Sequence, residues 1–353
     1  MEGVKTWDAI IVGAGVIGLS LAIELRKQGL RVLVVEKGQP GREASWAAGG
    51  MLVSSGMETP AALQPLAAAS ARMYPEFVHE LEDESRLKID LRSEGTLVWE
   101  PAADAHLRAA HPLPAPLAEM EPNLAVTSDT PLFLQEQSVD PRDLVKAAVA
   151  AARHRGVDFS SGDHVEAVEM KDGKASGIRT NKTSFAGGVV VNCAGAWAGQ
   201  IGPQGFPVRP VKGQMLCVVM PEKNLLRHVI RTPDVYLIPR SDGRLLIGAT
   251  VEEAGFDKQV VPETLQRLRQ AALELVARLA DARILEGWAG LRPGTPDALP
   301  ILGATATPGY FVATGHFRDG ILLAPITASV MAAVITGAQP TLDLSAFSPA
   351  RFA

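Results

Sequence analysis

The sequence predicts an α/β protein in which a discontinuous dinucleotide-binding domain carries an inserted α+β domain with an antiparallel sheet. Four observations support this prediction. A β-α-β pattern with a glycine-rich turn occupies residues 8–36, and a later buried strand with a glycine turn occupies residues 188–197. Alternating apolar residues between positions 208 and 249 are typical of antiparallel strands. At 353 residues, the chain is long enough to form two hydrophobic cores.

The first unit is a complete β-α-β pattern with a GxGxxG turn. An apolar strand precedes Gly13, a helical pattern covers residues 19–28, and a second apolar strand ends at Glu36. Gly13 permits the tight turn, Gly15 lets a pyrophosphate approach the backbone, and Gly18 lets the helix pack closely on the strand. Free N–H groups at the helix N-terminus favour an anion there. Glu36 ends the second strand, where its carboxylate would accept hydrogen bonds from ribose hydroxyls.

A stretch of small residues from Gly41 to Met51 follows the second strand. The β-α-β unit alone does not separate NAD from FAD, but this continuation favours a bulky planar cofactor, because small residues let the chain run close to it. Ser45 is placed to bond a phosphate or a ribose. The alternative is a flexible surface loop, against which Trp46 and Met51 argue, since such side chains favour packing.

Other elements follow from periodicity and from the positions of glycine and proline. Residues 59–86 have a largely helical pattern, which prolines 60, 65 and 75 are expected to break into pieces. The remaining predictions include one strand at 132–139, an amphipathic helix at 142–155, short strands at 157–160, 164–170 and 174–180, and an apolar final helix at 320–335.

The order of these elements predicts two domains. The nucleotide-binding domain is expected to combine residues 1–90, 140–207 and 288–353. The substrate-binding domain is expected to comprise residues 91–139 and 208–287, with the alternating strands as its antiparallel sheet.

Composition argues against several classes of protein. A net charge of −5 gives no strong positive field for nucleic acid or anionic lipid. Cys193 and Cys217 form neither a disulfide framework nor a metal-ligand spacing, and the seven histidines form no HExxH or HxH pair, so we expect no metal. The longest apolar run, residues 9–23, is interrupted by glycines and is shorter than the roughly 20 residues that span a bilayer. An enzyme of the cytoplasm, without a membrane partner, is expected.

The motifs together resemble the D-amino-acid oxidase superfamily of FAD enzymes and, within it, the glycine oxidases linked to thiamine biosynthesis. The segments at 290–297 and 314–324 are the most specific matches, because a generic dinucleotide-binding protein has no reason to carry them. The matching segments are residues 10–18 with Glu36, residues 42–51, residues 192–197, the GLRPGTPD sequence at 290–297 and the TGHFRDGILLA sequence at 314–324.

This resemblance implies a Rossmann-like FAD-binding domain of the glutathione-reductase type that holds the flavin without a covalent bond. Sarcosine oxidases of the superfamily tether their flavin to a cysteine near the C-terminal motif, and no cysteine follows Cys217. The implied cofactor-binding residues are Gly13, Ala14, Gly15, Val16, Ile17, Gly18, Glu36, Lys37, Ala44, Ser45, Gly49, Gly50, Met51, Val165, Ala194, Gly195, His316, Phe317, Arg318, Asp319, Gly320, Ile321 and Leu322.

The resemblance also implies a substrate site with catalytic and binding roles for Tyr236, Arg292 and Arg318. Arg292 would clamp a substrate carboxylate through two hydrogen bonds, a geometry that lysine cannot reproduce. Tyr236 would donate its hydroxyl to the same carboxylate, and the backbone carbonyl of Arg318 would lie near the substrate amine. From the residues alone, Arg292 could instead pair with Asp297, Tyr236 could be an ordinary strand residue, and Arg318 could be a solvated loop charge.

The expected activity is oxidation of the C–N bond of glycine or another small amino acid or amine by hydride transfer to flavin N5. Oxygen would accept the electrons and give hydrogen peroxide, and hydrolysis of the imine would give a keto acid and ammonia. A D-amino-acid oxidase or dehydrogenase, or a sarcosine oxidase, is the nearest alternative. A non-catalytic flavin-binding module is an alternative of another class, and self-association into a homo-oligomer is also expected.

Overall fold

The computed structural model of the protein describes residues 6–54, 59–100, 103, 105–125 and 130–352. Two large sheets and one small sheet are present in these ranges. The strands are β1 (Thr6–Val12), β2 (Val32–Glu36), β3 (Met51–Leu52), β4 (Leu91–Arg92), β5 (Thr96–Val98), β6 (Leu132–Leu134), β7 (Gln137–Val139), β8 (Asp158–Ser161), β9 (Val165–Lys171), β10 (Lys174–Thr180), β11 (Ser184–Asn192), β12 (Arg209–Val219), β13 (Val229–Arg231), β14 (Tyr236–Pro239), β15 (Arg244–Gly248), β16 (Arg283–Gly294), β17 (Ile301–Ala304) and β18 (Tyr310–Thr314).

Helices cover the nucleotide sheet and one face of the substrate sheet. The α-helices are α1 (Val16–Lys27), α2 (Ala44–Ala47), α3 (Gln64–Ser85), α4 (Ala105–Ala110), α5 (Leu117–Met120), α6 (Pro141–His154), α7 (Pro262–Leu275) and α8 (Ala324–Thr336). In the described part of the chain, five 3₁₀ turns lie at Ala61–Leu63, Gly195–Gln200, Ala277–Asp281, Ser345–Phe347 and Pro349–Phe352.

The nucleotide sheet has the strand order β17-β18-β11-β1-β2-β8, with β9 and β10 as a hairpin extension beside β11. Its central strands are parallel, and all five residues of β2 are buried. Such strands are covered on both faces, which explains their continuous apolar sequence. Because the carboxyl ends of parallel strands share one edge, β1, β2, β11 and β18 end beside one another and there form the wall of a binding site.

The substrate sheet has the strand order β16-β12-β15-β14-β13-β5-β6. All of its pairings are antiparallel except that of β13 with β5. Helix α7 packs its buried residues Thr264, Leu268 and Ala272 towards a core that β12, β14 and β15 share. The opposite face of the sheet is turned to the nucleotide domain, since Tyr236 and Met215 lie there beside Gly49 and Met51. The predicted fold class, a Rossmann-like domain with an α+β substrate domain, is confirmed.

Helix α3 corrects the expectation that prolines would break residues 59–86 into pieces. Pro60 caps a short 3₁₀ turn and Pro65 lies in the first helical turn, where its missing N–H has no cost. Pro75 lies inside a continuous helix. Buried residues repeat on one stripe on both sides of it, and this tertiary packing outweighs the lost hydrogen bond. The stripe consists of Leu66, Ser70, Tyr74, Val78 and Leu81.

Two further predictions are corrected by the structure. Residues 132–139 form two strands, β6 and β7, which belong to different sheets, because the chain turns at Gln135 and Glu136. Helix α8 begins at Ala324 rather than at Gly320. The four residues before it form turns, and Pro325 lies in its first turn, a position that suits a residue without an N–H.

The predicted domain boundary between residues 287 and 288 falls inside β16, which pairs with β12 from Arg209↔Gly294 to Val219↔Arg283. The division of the chain into residues 1–90, 140–207 and 288–353 against 91–139 and 208–287 stays a prediction. Within the described ranges, none of the helices combines the length and the apolar character that crossing a bilayer requires.

Candidate active site

One continuous cavity of about 780 Å³ runs between the nucleotide sheet and the substrate sheet. Its wall at one end contains Glu36 and Val165, and its wall at the other end contains Tyr236, Arg292 and Arg318. Every residue predicted for the cofactor or the substrate lines this cavity except Ala14, Gly18 and Leu322. Residues separated by about 300 positions in the sequence, such as Gly13 and Ile321, are thus brought to one site.

The glycine turn leaves no room for side chains at its first and last positions. Gly13 has φ +106°, and a Cβ there would lie 2.5 Å from the carbonyl oxygen of Cys193. A Cβ on Gly18 would meet the backbone carbonyl of Gly13 and, at 3.1 Å, the side chain of Ile11. Gly18 therefore does not line the cavity but allows α1 to pack on β1, as its predicted role requires.

Glu36 and Ser45 fasten the turn at the N-terminus of α1. The carboxylate of Glu36 accepts hydrogen bonds from the N–H of Ala14 at 2.9 Å and of Gly38 at 3.0 Å. The hydroxyl of Ser45 accepts from the N–H of Val16 at 2.9 Å, in the first turn of the helix. Ala14 is fully buried and reaches the site only through this bond to Glu36. The nucleotide end of the cavity therefore consists mainly of oriented backbone groups and one carboxylate.

These residues fit FAD. A dinucleotide needs a carboxylate near its ribose, a glycine cradle near its pyrophosphate, and an apolar slot for the flavin ring. Glu36 is suited to the first role, and the turn from Gly13 to Gly18 is suited to the second. The segment from Gly49 to Met51 and the turn from His316 to Ile321 line the part of the cavity nearest the substrate sheet. The cavity joins all three regions without interruption.

Arg292 is oriented by the substrate sheet. Its Nη1 donates to the backbone carbonyls of Thr250 at 3.0 Å and Lys212 at 3.4 Å. The guanidinium lies over Gly213, where a Cβ would come within 2.5 Å of Nη2. Asp297 pairs with Arg351 at 2.7 Å instead. The alternative pairing of Arg292 with Asp297 is therefore wrong, and the arginine faces the cavity.

Tyr236 lies next to this arginine at the middle of the sheet. Its ring covers Gly248, where a Cβ would lie 2.6 Å from the tyrosine Cε2. Burial raises the pKa of the Tyr236 hydroxyl, while the charge of Arg292, a hydrogen bond from it and the charge of Arg318 act in the opposite direction. The tyrosine is therefore a neutral hydrogen-bond donor that faces two arginines, a combination suited to a carboxylate.

The turn between β18 and α8 joins the substrate sheet to the nucleotide domain. Phe317, with φ +45°, donates its N–H to the carbonyl of Pro293 at 3.1 Å, next to Arg292. On α3, the hydroxyl of Tyr74 donates to the carbonyl of Ile321, and the hydroxyl of Ser70 donates to the carbonyl of Leu322, both at 2.6 Å. Leu322 is thus buried behind the cavity wall, with its carbonyl bound by Ser70, and its cofactor-binding role stays a prediction.

His316 and Arg318 differ sharply in their surroundings. The imidazole of His316 is buried, with its Nε2 3.1 Å from the hydroxyl of Thr327, and burial lowers its pKa to about 3. His316 is therefore neutral at physiological pH. The side chain of Arg318 is exposed, and its guanidinium lies 5.3 Å from the ring centre of Phe317. The expected role of the Arg318 carbonyl near a substrate amine stays a prediction.

Sequence reasoning missed several residues of the site because their contribution depends on long-range pairing. Gly213 and Gly248 make room for Arg292 and Tyr236, and Thr250 holds the arginine through its carbonyl. Trp197 lines the nucleotide end of the cavity. The two glycines interrupt apolar strands, which often marks a close approach of another group, and this signal was available in the sequence. Met57, on which the sequence suggests that the size of the pocket also depends, lies outside the described residues.

The fold and the site define a dinucleotide-dependent oxidoreductase with cationic side chains at one end of its cavity. A family model described as DAO, FAD dependent oxidoreductase, matches residues 8–334, and the chain belongs to this family. FAD is accordingly its cofactor.

Relatives and solved structures agree over nearly the full chain. The glycine oxidase of Pseudomonas aeruginosa is 34% identical, covering 97% of this chain and 98% of the relative. The structure of glycine oxidase from Geobacillus kaustophilus matches with a TM-score of 0.91 at 33% identity, covering 97% of this chain and 98% of that one. The bifunctional protein ThiO/ThiG of Trichormus variabilis is 36% identical over 98% of this chain, which spans only 55% of that relative.

Proposed function

We propose that the protein oxidises glycine to glyoxylate and ammonia with FAD as cofactor and oxygen as electron acceptor. The observation that carries this proposal is that Arg292 and Tyr236 line the same cavity as the residues predicted to bind FAD. The balanced reaction consumes glycine, oxygen and water and yields glyoxylate, ammonia and hydrogen peroxide. Similarity to the glycine oxidases of two bacteria supports glycine as the substrate.

The chain's own residues bind and orient the substrate. Arg292, fixed by the Thr250 carbonyl, takes the carboxylate, and the Tyr236 hydroxyl donates to the same group. Bound FAD supplies the two-electron oxidation of the C–N bond. The protein therefore contributes position and electrostatics, worth several kcal/mol when a reacting atom is held in a near-attack geometry.

Neither His316 nor Tyr236 is suited to act as a strong base. His316 is neutral, but it is buried against Thr327. Burial also raises the pKa of Tyr236, so that its hydroxyl keeps its proton. We therefore infer that glycine reacts as the neutral amine and that the site selects this form instead of generating it.

We also propose a role in making the thiazole of thiamine, which the similarity to the bifunctional ThiO/ThiG protein supports. Cytoplasmic location and assembly into a homo-oligomer remain predictions from the sequence. The backbone carbonyl of Arg318 is proposed to accept a hydrogen bond from the substrate amine.

A peroxide-coupled screen of the purified enzyme tests the proposed substrate. Glycine, sarcosine, D-alanine and other D-amino acids are compared at equal concentration, with a dye acceptor in a parallel set. We expect the highest kcat/KM for glycine with oxygen. A higher value for D-alanine, or turnover only with the dye, would overturn the proposal in favour of a D-amino-acid oxidase or dehydrogenase.

A further inference from the structure

Residues 250–261 form a segment, here called the strap, that links β15 to α7 and crosses from the substrate sheet to the nucleotide domain. It is fastened to β12 along its length, from its inner end at Thr250 and Glu252 to Val261. Glu252 and Lys212 exchange two backbone hydrogen bonds of 2.9 Å, and the N–H of Val261 donates to the Gln214 side chain at 2.7 Å. The buried amine of Lys212 also pairs with Asp257 at 3.0 Å. The strap therefore has a defined course.

The inner end of the strap also holds the carboxylate clamp. The carbonyl of Thr250 accepts a hydrogen bond of 3.0 Å from Nη1 of Arg292. The hydroxyl of the same threonine accepts from the N–H of Gln214 at 2.9 Å, and it also contacts the carboxylate of Glu252. Any movement of the strap at Thr250 would therefore reorient the guanidinium of Arg292.

The outer end of the strap, by which we mean residues 256–258, contacts the nucleotide domain through two side chains. The ring of Phe256 packs on Trp197 with 5.3 Å between centroids and 32° between ring planes. The amine of Lys258 contacts both carboxylate oxygens of Glu43, at 3.1 and 3.0 Å. Trp197 and Glu43 both line the cavity, next to Lys37 at its nucleotide end. Phe256 is 42% exposed, so the packing on Trp197 is what holds this apolar ring at the protein surface.

We propose that Phe256 and Lys258 are positioning residues that fasten the strap across the cavity and thereby couple retention of FAD to the orientation of Arg292. The twelve residues of the strap connect Trp197 and Glu43, at the nucleotide end of the cavity, with Thr250, whose carbonyl holds Arg292. Releasing its outer end opens the cavity beside Trp197 and removes a restraint on Thr250. This inference rests on the proposed role of Arg292 as a carboxylate clamp.

Two variants test the outer attachment, and the lysine variant has two controls. Phe256→Ala removes the ring contact, and Lys258→Met removes the ion pair while keeping most of the aliphatic length. Lys258→Arg keeps the charge, and Arg278→Met removes a comparable exposed ion pair, to Glu222, that lies within the substrate domain. Both changed positions on the strap are at the surface, so the holoenzymes are expected to fold.

Two measurements on each holoenzyme separate the proposal from its premise. The rate of FAD release on dilution is followed by flavin fluorescence and needs no turnover. Binding of glycolate, a carboxylate that resembles glycine, is followed by its perturbation of the flavin absorbance. Steady-state KM and kcat for glycine are measured alongside, because a strap effect should raise KM while leaving kcat nearly unchanged.

We expect FAD release to be about three- to tenfold faster in Phe256→Ala and about two- to fivefold faster in Lys258→Met, in line with typical aromatic and exposed ion pairs. Glycolate affinity should fall about threefold in both, while Lys258→Arg and Arg278→Met match the wild type. Unchanged FAD release, or faster release without any loss of glycolate affinity, would overturn the coupling. If Arg292→Ala binds glycolate as tightly as the wild type, the premise that Arg292 binds the substrate carboxylate is wrong.

Discussion

The two ends of the cavity are built in different ways. The nucleotide end is built around backbone groups from a single stretch, Gly13 to Gly18, that one carboxylate and one hydroxyl fasten in place. The substrate end consists of side chains from strands far apart in the sequence, with Tyr236 on β14 and Arg292 on β16. The first kind of site depends on glycines at the right positions of one short segment. The second kind depends on the register of a whole sheet, because strand pairing decides which side chains meet.

The difference appears in how each end tolerates change. At the nucleotide end a single added methyl group would meet fixed backbone, for which there is no alternative position. At the substrate end a truncated side chain leaves the sheet intact and removes only a ligand contact. The predictions below run from changes that should abolish the holoenzyme to changes that should only weaken substrate binding.

Gly13→Ala should have the largest effect. The new Cβ would lie 2.5 Å from the carbonyl oxygen of Cys193, and the residue would keep φ +106°. We therefore expect the free energy of unfolding to fall by more than about 3 kcal/mol and the protein to bind no FAD. The measurements are the flavin absorbance of the purified protein and its thermal unfolding. Gly29→Ala is the control, because Gly29 has φ +84° but nothing within 4 Å of its Cβ position, and about 1 kcal/mol should be lost. Equal effects at both positions would contradict this account.

Arg292→Ala should lower kcat/KM for glycine by about 100- to 1000-fold, since it removes a charged partner of the substrate worth about 3–4 kcal/mol. The spectrum of the bound flavin should stay as in the wild type. Arg292→Lys should recover only part of the loss, because an ammonium cannot form the bidentate geometry. Steady-state kinetics checks both variants, and an unchanged KM in Arg292→Ala would remove this residue from the site.

His316 should make the holoprotein less stable in acid. Its pKa in the folded state is about 3, against 6.5 for the free group, so the unfolded chain binds one more proton between these values. Stability should therefore fall as the pH drops from about 6.5 towards 3, by up to about 1.4 kcal/mol per pH unit. His316→Gln should remove this part of the slope, which denaturant unfolding at pH 4, 5, 6 and 7 would measure. A wild-type slope no steeper than that of the variant would count against a neutral buried imidazole.

Tyr236→Phe should have the smallest effect in this series. It removes one hydroxyl from the carboxylate site and leaves the ring packed on Gly248, so we expect KM for glycine to rise about tenfold, equivalent to about 1.4 kcal/mol. The value of kcat should change less than KM. A fall in kcat alone would indicate that the hydroxyl acts on the reacting atoms instead of on the carboxylate.

The same contrast explains what could be predicted from the sequence. The β-α-β unit was predictable because Gly13, Gly15 and Glu36 act within one local motif. The clamp was identified through resemblance, since no local pattern relates Tyr236 to Arg292. The strands at 229–231 and 301–304 were not predicted, because they are short and their pairing partners are distant.

Errors arose where tertiary contacts outweigh local propensity. Pro75 lies within α3 because the buried stripe of that helix continues on both sides of it. Helix α8 begins later than predicted because the carbonyls of Ile321 and Leu322 are bound by Tyr74 and Ser70. These hydrogen bonds join residues about 250 positions apart in the sequence, so the local hydrophobic pattern cannot predict them.

Anaerobic mixing with glycine or methylamine tests the central claim most directly, namely that FAD and a carboxylate clamp share one cavity. Methylamine has the reacting C–N bond but lacks the carboxylate. We predict that glycine bleaches the oxidised flavin of the wild-type enzyme, that methylamine does so at least about 100-fold more slowly, and that Arg292→Ala largely removes this preference. Flavin that stays oxidised with glycine, or that both amines reduce equally fast, would contradict the account.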